Sequence, residues 1–368
     1  MKLFLKAAGA CGMLVSLHVH AAGPIVSYVD LHPSGAVLSS GYAVTGGQQA
    51  GWAHIGSQHA ALWSGSAGSF VDLHPASAGY SWVRAVAGNQ QAGIASFGGR
   101  AHAGIWSGTA GSFVDLNPAG ATDSYADGAS SGQQAGYAYF GGSAQAGLWS
   151  GTAGSFVNLH PTGTAISRAF ATTGSKQVGD VSFGGSSHAA LWSGTAASFV
   201  DLHPAGAISS IAAAAAGSQQ AGYIYALGSL ARAGIWSGTA GSFVNLNPAG
   251  AGESYALGTS GSHQVGIAKF GSALHAGLWA GTASSFLDLD TSLGSAYGDS
   301  RARAIWADTA AIYVAGSAVR TATGAEHAIL WTIIIPEPGP LSFGVVVLVV
   351  LGICQLHNRT NGLTGSHR

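Results

Sequence analysis

Histidine and aspartate recur in this 368-residue chain at spacings that could serve acid–base chemistry or bind a metal. Of its fifteen His, five (His59, His102, His188, His275 and His327) occupy one position of a recurring sequence, and Gln145 and Arg232 fill that position elsewhere. Arg is a poor metal ligand, and equivalent positions of a ring lie much farther apart than the roughly 2 Å reach of a zinc ligand. These His are therefore read as hydrogen-bonding groups, and no metal is expected. The D-x-H-P pairs Asp30/His32, Asp72/His74 and Asp201/His203 place an acid and a base two residues apart, on one face of a strand. Other copies read Asp115/Asn117, Asn158/His160, Asn245/Asn247 and Asp288/Asp290. Asn keeps the hydrogen bonding and drops the charge. Capping of the Pro turn thus accounts for all seven copies, and general acid–base work for only some. Nothing in the sequence brings a Ser to an Asp–His pair in the third role that a triad requires. No catalytic residue and no cofactor are expected.

Aromatic residues supply a second possibility. After each Q-x-x-G stands Trp52, Ile94, Tyr137, Asp180, Tyr223, Ile267 or Ser317, with Tyr139 and Tyr225 two residues beyond two of them. Aromatic side chains on one rim would stack on sugar rings, so Trp52, Tyr137, Tyr139, Tyr223 and Tyr225 are candidate ligand contacts; packing between repeats is the competing role. Trp82 and Trp306 lie on the segments expected to form the innermost strands. A longer seventh unit concentrates Arg301, Arg303, Arg320 and Asp308, a candidate interaction site or a solvated loop. The Gly-Gly pairs at 98–99, 141–142 and 184–185 read as hairpin turns. None belongs to a G-x-x-x-x-G-K-[ST] phosphate loop, and no helix follows to offer its N-terminus.

These positions belong to a repeat. An A-[GAI]-[LI]-W motif places Trp at 63, 106, 149, 192, 236, 279 and 331, and [FY]-[VL]-[DN]-L begins at Tyr28, Phe70, Phe113, Phe156, Phe199, Phe243 and Phe286. One unit divides into SYADGAS, QQAGYAYF, SAQAGLWS and SFVNLH, four short strands separated by turn residues. In the last, alternation puts Val157 and Leu159 on one face and Phe156, Asn158 and His160 on the other. Four strands in about 43 residues is the size of a propeller blade. The phase of the motifs is informative. No FVDLHP strand follows Trp331, whereas SYVDLHP stands at residues 27–33. An open solenoid would waste that strand and leave raw edges; a parallel β-helix, with rungs nearer 20–25 residues, has no use for it. A ring uses it to complete the last blade. The expected fold is all-β, a seven-bladed β-propeller over residues 22–334, with the S-x-A-x-A strands innermost because small side chains suit a crowded channel. The repeated Trp is expected to pack between blades.

Composition removes several classes. Charged residues make up 7% of the chain and Gly contributes 58 positions, against about 25% and about 7% of residues in typical chains. The net charge is −1, and no basic stripe is present to displace counterions from phosphates, so nucleic acid is not an expected partner. Ten Trp, thirteen Phe and eleven Tyr offer more buried area than a disordered chain can. Gly does not fall at every third residue, which excludes collagen. Both Cys, Cys11 and Cys354, lie in the end segments, so the repeats need no disulfide.

The ends read as addresses. Residues 1–21 combine a basic start, a short apolar segment and small residues at a cut site after Ala21, which is a signal peptide. A lipobox at Cys11 competes poorly. Residues 335–368 carry Pro336-Glu337-Pro338, then an apolar segment, 341–356, that is marginal for a bilayer span. This segment resembles the PEP-CTERM sorting signal, which implies an exosortase-like membrane processing enzyme as partner and export in a Gram-negative bacterium linked to exopolysaccharide. Only Arg359 follows closely, where that family ends in an Arg-rich cluster; a plain membrane anchor is the alternative. The unit HAGLW…FVDL…S-x-A…Q-x-x-G resembles the HAF family of extracellular repeats, which implies an exported, propeller-like protein with no assigned catalysis. The expected function is a non-enzymatic protein of the cell surface or extracellular matrix, with a structural or binding role. A carbohydrate-binding propeller for exopolysaccharide or surface glycans is the alternative, and a propeller hydrolase the third reading.

Overall fold

The computed structural model describes residues 23–335, apart from 227 and 229. A compact body runs from Val26 to Ile333. Seven four-stranded antiparallel sheets form a seven-bladed β-propeller. In the third blade the strands run Ser124–Ser130, Gln133–Phe140, Ser143–Trp149 and Val157–Asn158, in spatial order from inner to outer. The S-x-A-x-A strand is innermost in every blade. Gly141 and Gly142, at φ 58° and 86°, make the hairpin between the second and third strands, a turn with two positive φ angles that L-residues resist.

Closure follows the phase of the repeat. The seventh sheet consists of Tyr297–Ala307, Ile312–Arg320, Glu326–Ile334 and, as its outer strand, Ile25–Asp30. The Leu31 N–H donates to the Ala328 carbonyl at 2.8 Å. Tyr297 Oη donates to Asp30 Oδ2 at 2.7 Å, and His327 Nδ1 lies 2.8 Å from the same oxygen. The first strand of the body is thereby fixed to the last.

The core lies between blades. All seven repeated Trp are fully buried. Trp106 packs on Ala43, Leu62 and Leu73 of the preceding blade, and Trp63 packs on Leu31 and Leu330 across the closure. Burial of an indole of about 200 Å² contributes roughly 5 kcal/mol of gross transfer free energy. The outer strand departs from the sequence reading. It is two residues long, preceded by a single turn of 3-10 helix such as Ala153–Ser155, and Val157 is 46% exposed while Leu159 is fully buried. Leu159, whose N–H still bonds the Ala146 carbonyl at 2.8 Å, packs into the interface with Trp192 of the next blade, whereas Val157 stays at the surface.

Two glycine classes have different reasons. Each inner strand is bulged, as between Ala126 and Gly128, and the Q-x-x-G glycine stands opposite the bulge. A Cβ at Gly136 would run into the main-chain oxygen of Tyr125, and the same holds at the other six copies. The glycine before [LI]-W is instead crowded by a side chain: a Cβ at Gly104 would meet the Phe113 ring. Ala61 and Ala190 occupy that position in two blades, and there the Trp–Phe centroids stand at 5.9 Å rather than the 5.0 Å of Trp106–Phe113. A ring swings aside where main chain cannot.

The substitution Gly136→Ala is therefore expected to cost more than about 2 kcal/mol, and Gly104→Ala less than about 1 kcal/mol. Denaturant unfolding measures both, and equal costs would contradict the bulge explanation. Deletion of residues 22–34 should abolish or greatly lower the cooperative thermal transition, since the ring loses its closing strand; an unchanged melting temperature would overturn the closure.

Candidate functional site

Two sets of polar residues stand out, one between blades and one at the axis. The first is built from the D-x-H-P turn. In all seven copies the side-chain oxygen of the Asp or Asn accepts the main-chain N–H two residues on, at 2.7–3.0 Å. Turn capping thus occurs in every copy. The five His of the third strand bond the outer-strand carboxylate through Nδ1, as His59 does to Asp72 at 2.8 Å and His102 to Asp115 at 2.7 Å. At the same position Gln145 accepts from Asn158 at 2.6 Å, and Arg232 donates to the Gly252 carbonyl.

A serine absent from the sequence-based expectation completes this set. Ser81, the first residue of its inner strand, is fully buried and accepts the Ala60 N–H of the preceding blade at 2.9 Å. Its Oγ is also 2.8 Å from His74 Nδ1, while His74 Nε2 lies 3.0 Å from the Ala78 carbonyl. A carbonyl only accepts, so Nε2 carries the proton, and Ser81 donates to an unprotonated Nδ1. Asn117 reproduces the neutral imidazole: Ser124 donates to its Oδ1 at 2.7 Å, and its Nδ2 donates to the Ala121 carbonyl at 3.4 Å. The same serine links Ala328 to Ser39 across the closure at 2.9 Å, with His32 on Ser39 at 2.8 Å.

Three of these turns stack one imidazole on another: His32 on His327 at 3.8 Å, His74 on His59 at 3.9 Å and His203 on His188 at 3.9 Å. Burial first, then the neighbouring imidazole, holds His32, His74 and His203 below the ordinary imidazole pKa.

The second set comes from the two x positions of S-x-A-x-A. The small residues of that motif face adjacent blades and not the channel: a Cβ at Gly41 would crowd Gly316, and one at Gly128 would crowd Ala171. Most of the intervening residues are large, Ser40 and Ala213 excepted. Arg303, Tyr42, Arg84 and Asp127, from four consecutive inner strands, converge on one another. The Arg303 and Arg84 guanidiniums lie 4.5 and 5.0 Å from the Tyr42 ring centroid, and Arg84 lies 5.0 Å from the Trp82 centroid. Arg84 Nε is 3.7 Å from Asp127 Oδ1, and Arg303 is 3.7 Å from Glu326. Burial pushes the Asp127 carboxyl up, against the pull of Arg84 and Arg168. Arg168 holds Asp180 in a two-bond fork, through Nη2 at 2.6 Å and Nε at 2.9 Å.

The aromatic candidates divide. Trp52 is only 8% exposed, whereas Tyr137, Tyr139, Tyr223 and Tyr225 are half-buried. Tyr137 stacks on Tyr125 at 4.8 Å and lies 5.9 Å from Tyr139; Tyr223 lies 5.8 Å from Tyr225 and 4.9 Å from Tyr255. Burial raises the Tyr137 phenol and pushes Tyr223 up to about 12, so both stay neutral donors. Trp306 packs against blade 1, where a Cβ at Gly46 would meet its ring. The seventh-unit charges are not one site. Arg301 and Arg303 belong to the channel positions, Arg320 lies 5.1 Å from the Tyr297 centroid, and Asp308 caps its own turn. Missed were Tyr42, Arg84, Asp127, Arg168 and Tyr255. The available signal was that these x positions change from blade to blade between invariant small residues.

Pro336, Glu337, Pro338 and Ala21 lie outside the described residues, as does the apolar segment 341–356. Among the described residues no helix is long and apolar enough to cross a membrane.

The stacked imidazoles fix a sign. His32, His74 and His203 bind protons less readily when folded, so the unfolded chain takes up protons as pH falls through the ordinary imidazole pKa of about 6.5. Stability is expected to be lost below that pH. The double variant His74→Asn/His203→Asn, copying Asn117, should lose less. Melting temperatures between pH 7.5 and 5.5 measure this, and an identical fall in both proteins would remove the stacks as its cause.

No family model matches the chain, and no curated protein matches it. Solved structures do. The β-propeller domain of the Trilobed protease from Pyrococcus furiosus, described as having an open velcro topology, aligns over 84% of this chain and 99% of its own at 8% identity, with a TM-score of 0.50. A puromycin hydrolase aligns over 84% of this chain and 55% of its own at 11% identity, with a TM-score of 0.50. TolB from Acinetobacter baumannii aligns over 72% of this chain and 63% of its own at 12% identity, with a TM-score of 0.48. The chain therefore spans less than two thirds of the hydrolase and of TolB. At these identities the likeness shows the fold, a β-propeller.

Proposed function

We propose that this propeller is an exported, non-enzymatic protein of the cell surface or extracellular matrix, with a binding role, sorted by an exosortase-type system through Pro336-Glu337-Pro338. The observation that supports a binding role is the division of labour within the repeat. Ser, His, Asp, Gly and Trp recur at fixed positions and are used to build each blade and join it to the next, while residues that differ between blades gather at the axis. Sites that discriminate ligands need such unlike groups converging on one place.

The Ser–His contacts also favour a non-enzymatic reading. A nucleophilic Ser needs an exposed Oγ and a base free to take its proton. Ser81 is buried and already accepts the Ala60 N–H, and His74 Nε2 is committed to the Ala78 carbonyl. The half-buried tyrosines favour a carbohydrate-binding variant of the same function, because their rings offer apolar faces beside hydroxyl groups.

Fractionation of cells expressing the full chain tests export and sorting. The native protein is expected outside the cytoplasm, and a Pro336→Ala/Glu337→Ala/Pro338→Ala variant is expected to accumulate in the inner membrane. Cytoplasmic retention of the native chain would overturn export, and an unaltered distribution of the variant would reduce the C-terminal segment to a plain anchor.

A further inference from the structure

We propose that the axial cluster binds an acidic saccharide, its carboxylate held by Arg84 and Arg303 and its ring resting among the tyrosines of the inner two strands. The proposal rests on the binding role above and names its ligand class. The first observation is concentration. Four of the chain's thirteen Lys and Arg (Arg84, Arg168, Arg301 and Arg303) occupy x positions of the inner strands. The second is that two of them are held with hydrogen-bonding capacity to spare. The N–H groups of a guanidinium form a planar fork that suits a carboxylate. The Arg84 and Arg303 guanidiniums lie 5.0 and 4.5 Å from the Tyr42 ring centroid, cation–π contacts that help to fix both. Among the described residues the Nε of each is buried without an acceptor, and the neighbouring carboxylates at 3.7 Å stand beyond hydrogen-bond reach. A buried donor left unpaired is costly.

Arg168 shows the missing complement in the same channel. Asp180 fills its fork with two short hydrogen bonds, the bidentate geometry that a guanidinium makes with a carboxylate. Arg84 and Arg303 each have one chain carboxylate, Asp127 and Glu326, at 3.7 Å but no such two-bond fork, and a ligand carboxylate would supply it. The rest of the ligand is indicated by what surrounds them. Trp82 lies against Arg84; Tyr125 stands two positions nearer the strand's start than the Asp127 that faces Arg84, and Tyr137 stands opposite Tyr125 on the second strand. Neutral phenols and an indole suit a ring with an apolar C–H face and a hydroxylated edge, which is a sugar. A bare inorganic anion would leave these rings without a role, and a nucleic acid would need a basic stripe that the chain lacks.

Calorimetric titration of the full chain with a tri-uronic acid, with its uncharged methyl ester and with sodium sulfate tests the assignment. The acid is expected to bind, the ester at least ten-fold more weakly, and sulfate far more weakly than the acid. Arg84→Gln and Arg303→Gln should each lower affinity for the acid at least ten-fold with an unchanged melting temperature, and Arg320→Gln should not. If either Gln variant fails to fold, Arg84→Lys, which keeps the charge and loses the fork, should still weaken binding several-fold. Equal binding of acid and ester, unaltered binding by the arginine variants, or binding of sulfate without the saccharide would each overturn the proposal. Absence of uronate binding in a protein that fractionates to the surface overturns this assignment alone, whereas cytoplasmic retention with binding intact overturns only the export reading.

Discussion

One buried hydroxyl per blade carries the architecture. Each inner-strand serine accepts a main-chain N–H from the third strand of the preceding blade and donates to the turn that leaves that blade. The hydroxyl thereby satisfies a donor and an acceptor that would otherwise be buried unpaired between two sheets, where each unpaired group costs about 1–3 kcal/mol. It also ties the turn of one blade to the start of the next inner strand. Six copies keep the turn residue and the serine seven apart; in the last, Asp290 and Ser300 are ten apart, and the extra chain forms two short 3-10 turns while Ser300 still reaches Asp290 at 2.6 Å. Geometry is preserved across a change in length, which shows what is being held constant.

From this follows the role of the chain's beginning. A ring of six such ties would leave one blade without its outer strand and one interface without its serine bond. Asp30, Leu31 and His32 bring the turn to the last blade, and Ser39 closes the circle onto Ala328. The closure is therefore made of the same groups as every other interface. It adds Tyr297 on Asp30, a contact no other blade has, at the one place where continuity of the chain does not hold the strands together.

The fold was legible because it depends on phase, and phase is a property of the sequence. Seven Trp and seven [FY]-[VL]-[DN]-L motifs, offset by one strand, leave few alternatives to a ring. The serine was not legible because its partners lie in a different blade from its own strand: Ser81 and Ala60 are 21 residues apart and nothing local marks their meeting. The inner strand misled for a related reason. Ala and Gly there read as a lining for a narrow channel, but the bulge turns those positions toward neighbouring blades and brings the large x residues inward. Tyr137, Tyr139, Tyr223 and Tyr225 stood out in the sequence because they lie one and three residues past a motif glycine. Arg84 and Tyr42 were not, because their significance is that three blades place them side by side.

The scarcity of charge also has a structural cause. Any charge written into the repeat is copied around a ring, and at the axis the copies would face one another at short range in a partly buried space, where like charges repel strongly. The repeat avoids this by using Ser, Asn, Gln and neutral His at its polar positions, and by placing its recurrent Asp on the outer strand, far from the axis, where each meets its own His. Charges at the x positions exist only where the repeat is broken: Arg in three blades, Asp in one, and neither in the remaining inner strands. Arg168 with Asp180 is self-contained, and Asp127 is too deeply buried to be a strong counter-ion. Arg84 and Arg303 meet at Tyr42, each with one carboxylate at 3.7 Å. A seven-fold scaffold that keeps charge out of its inner strands thus makes its few axial guanidiniums the places where one blade is told from the next.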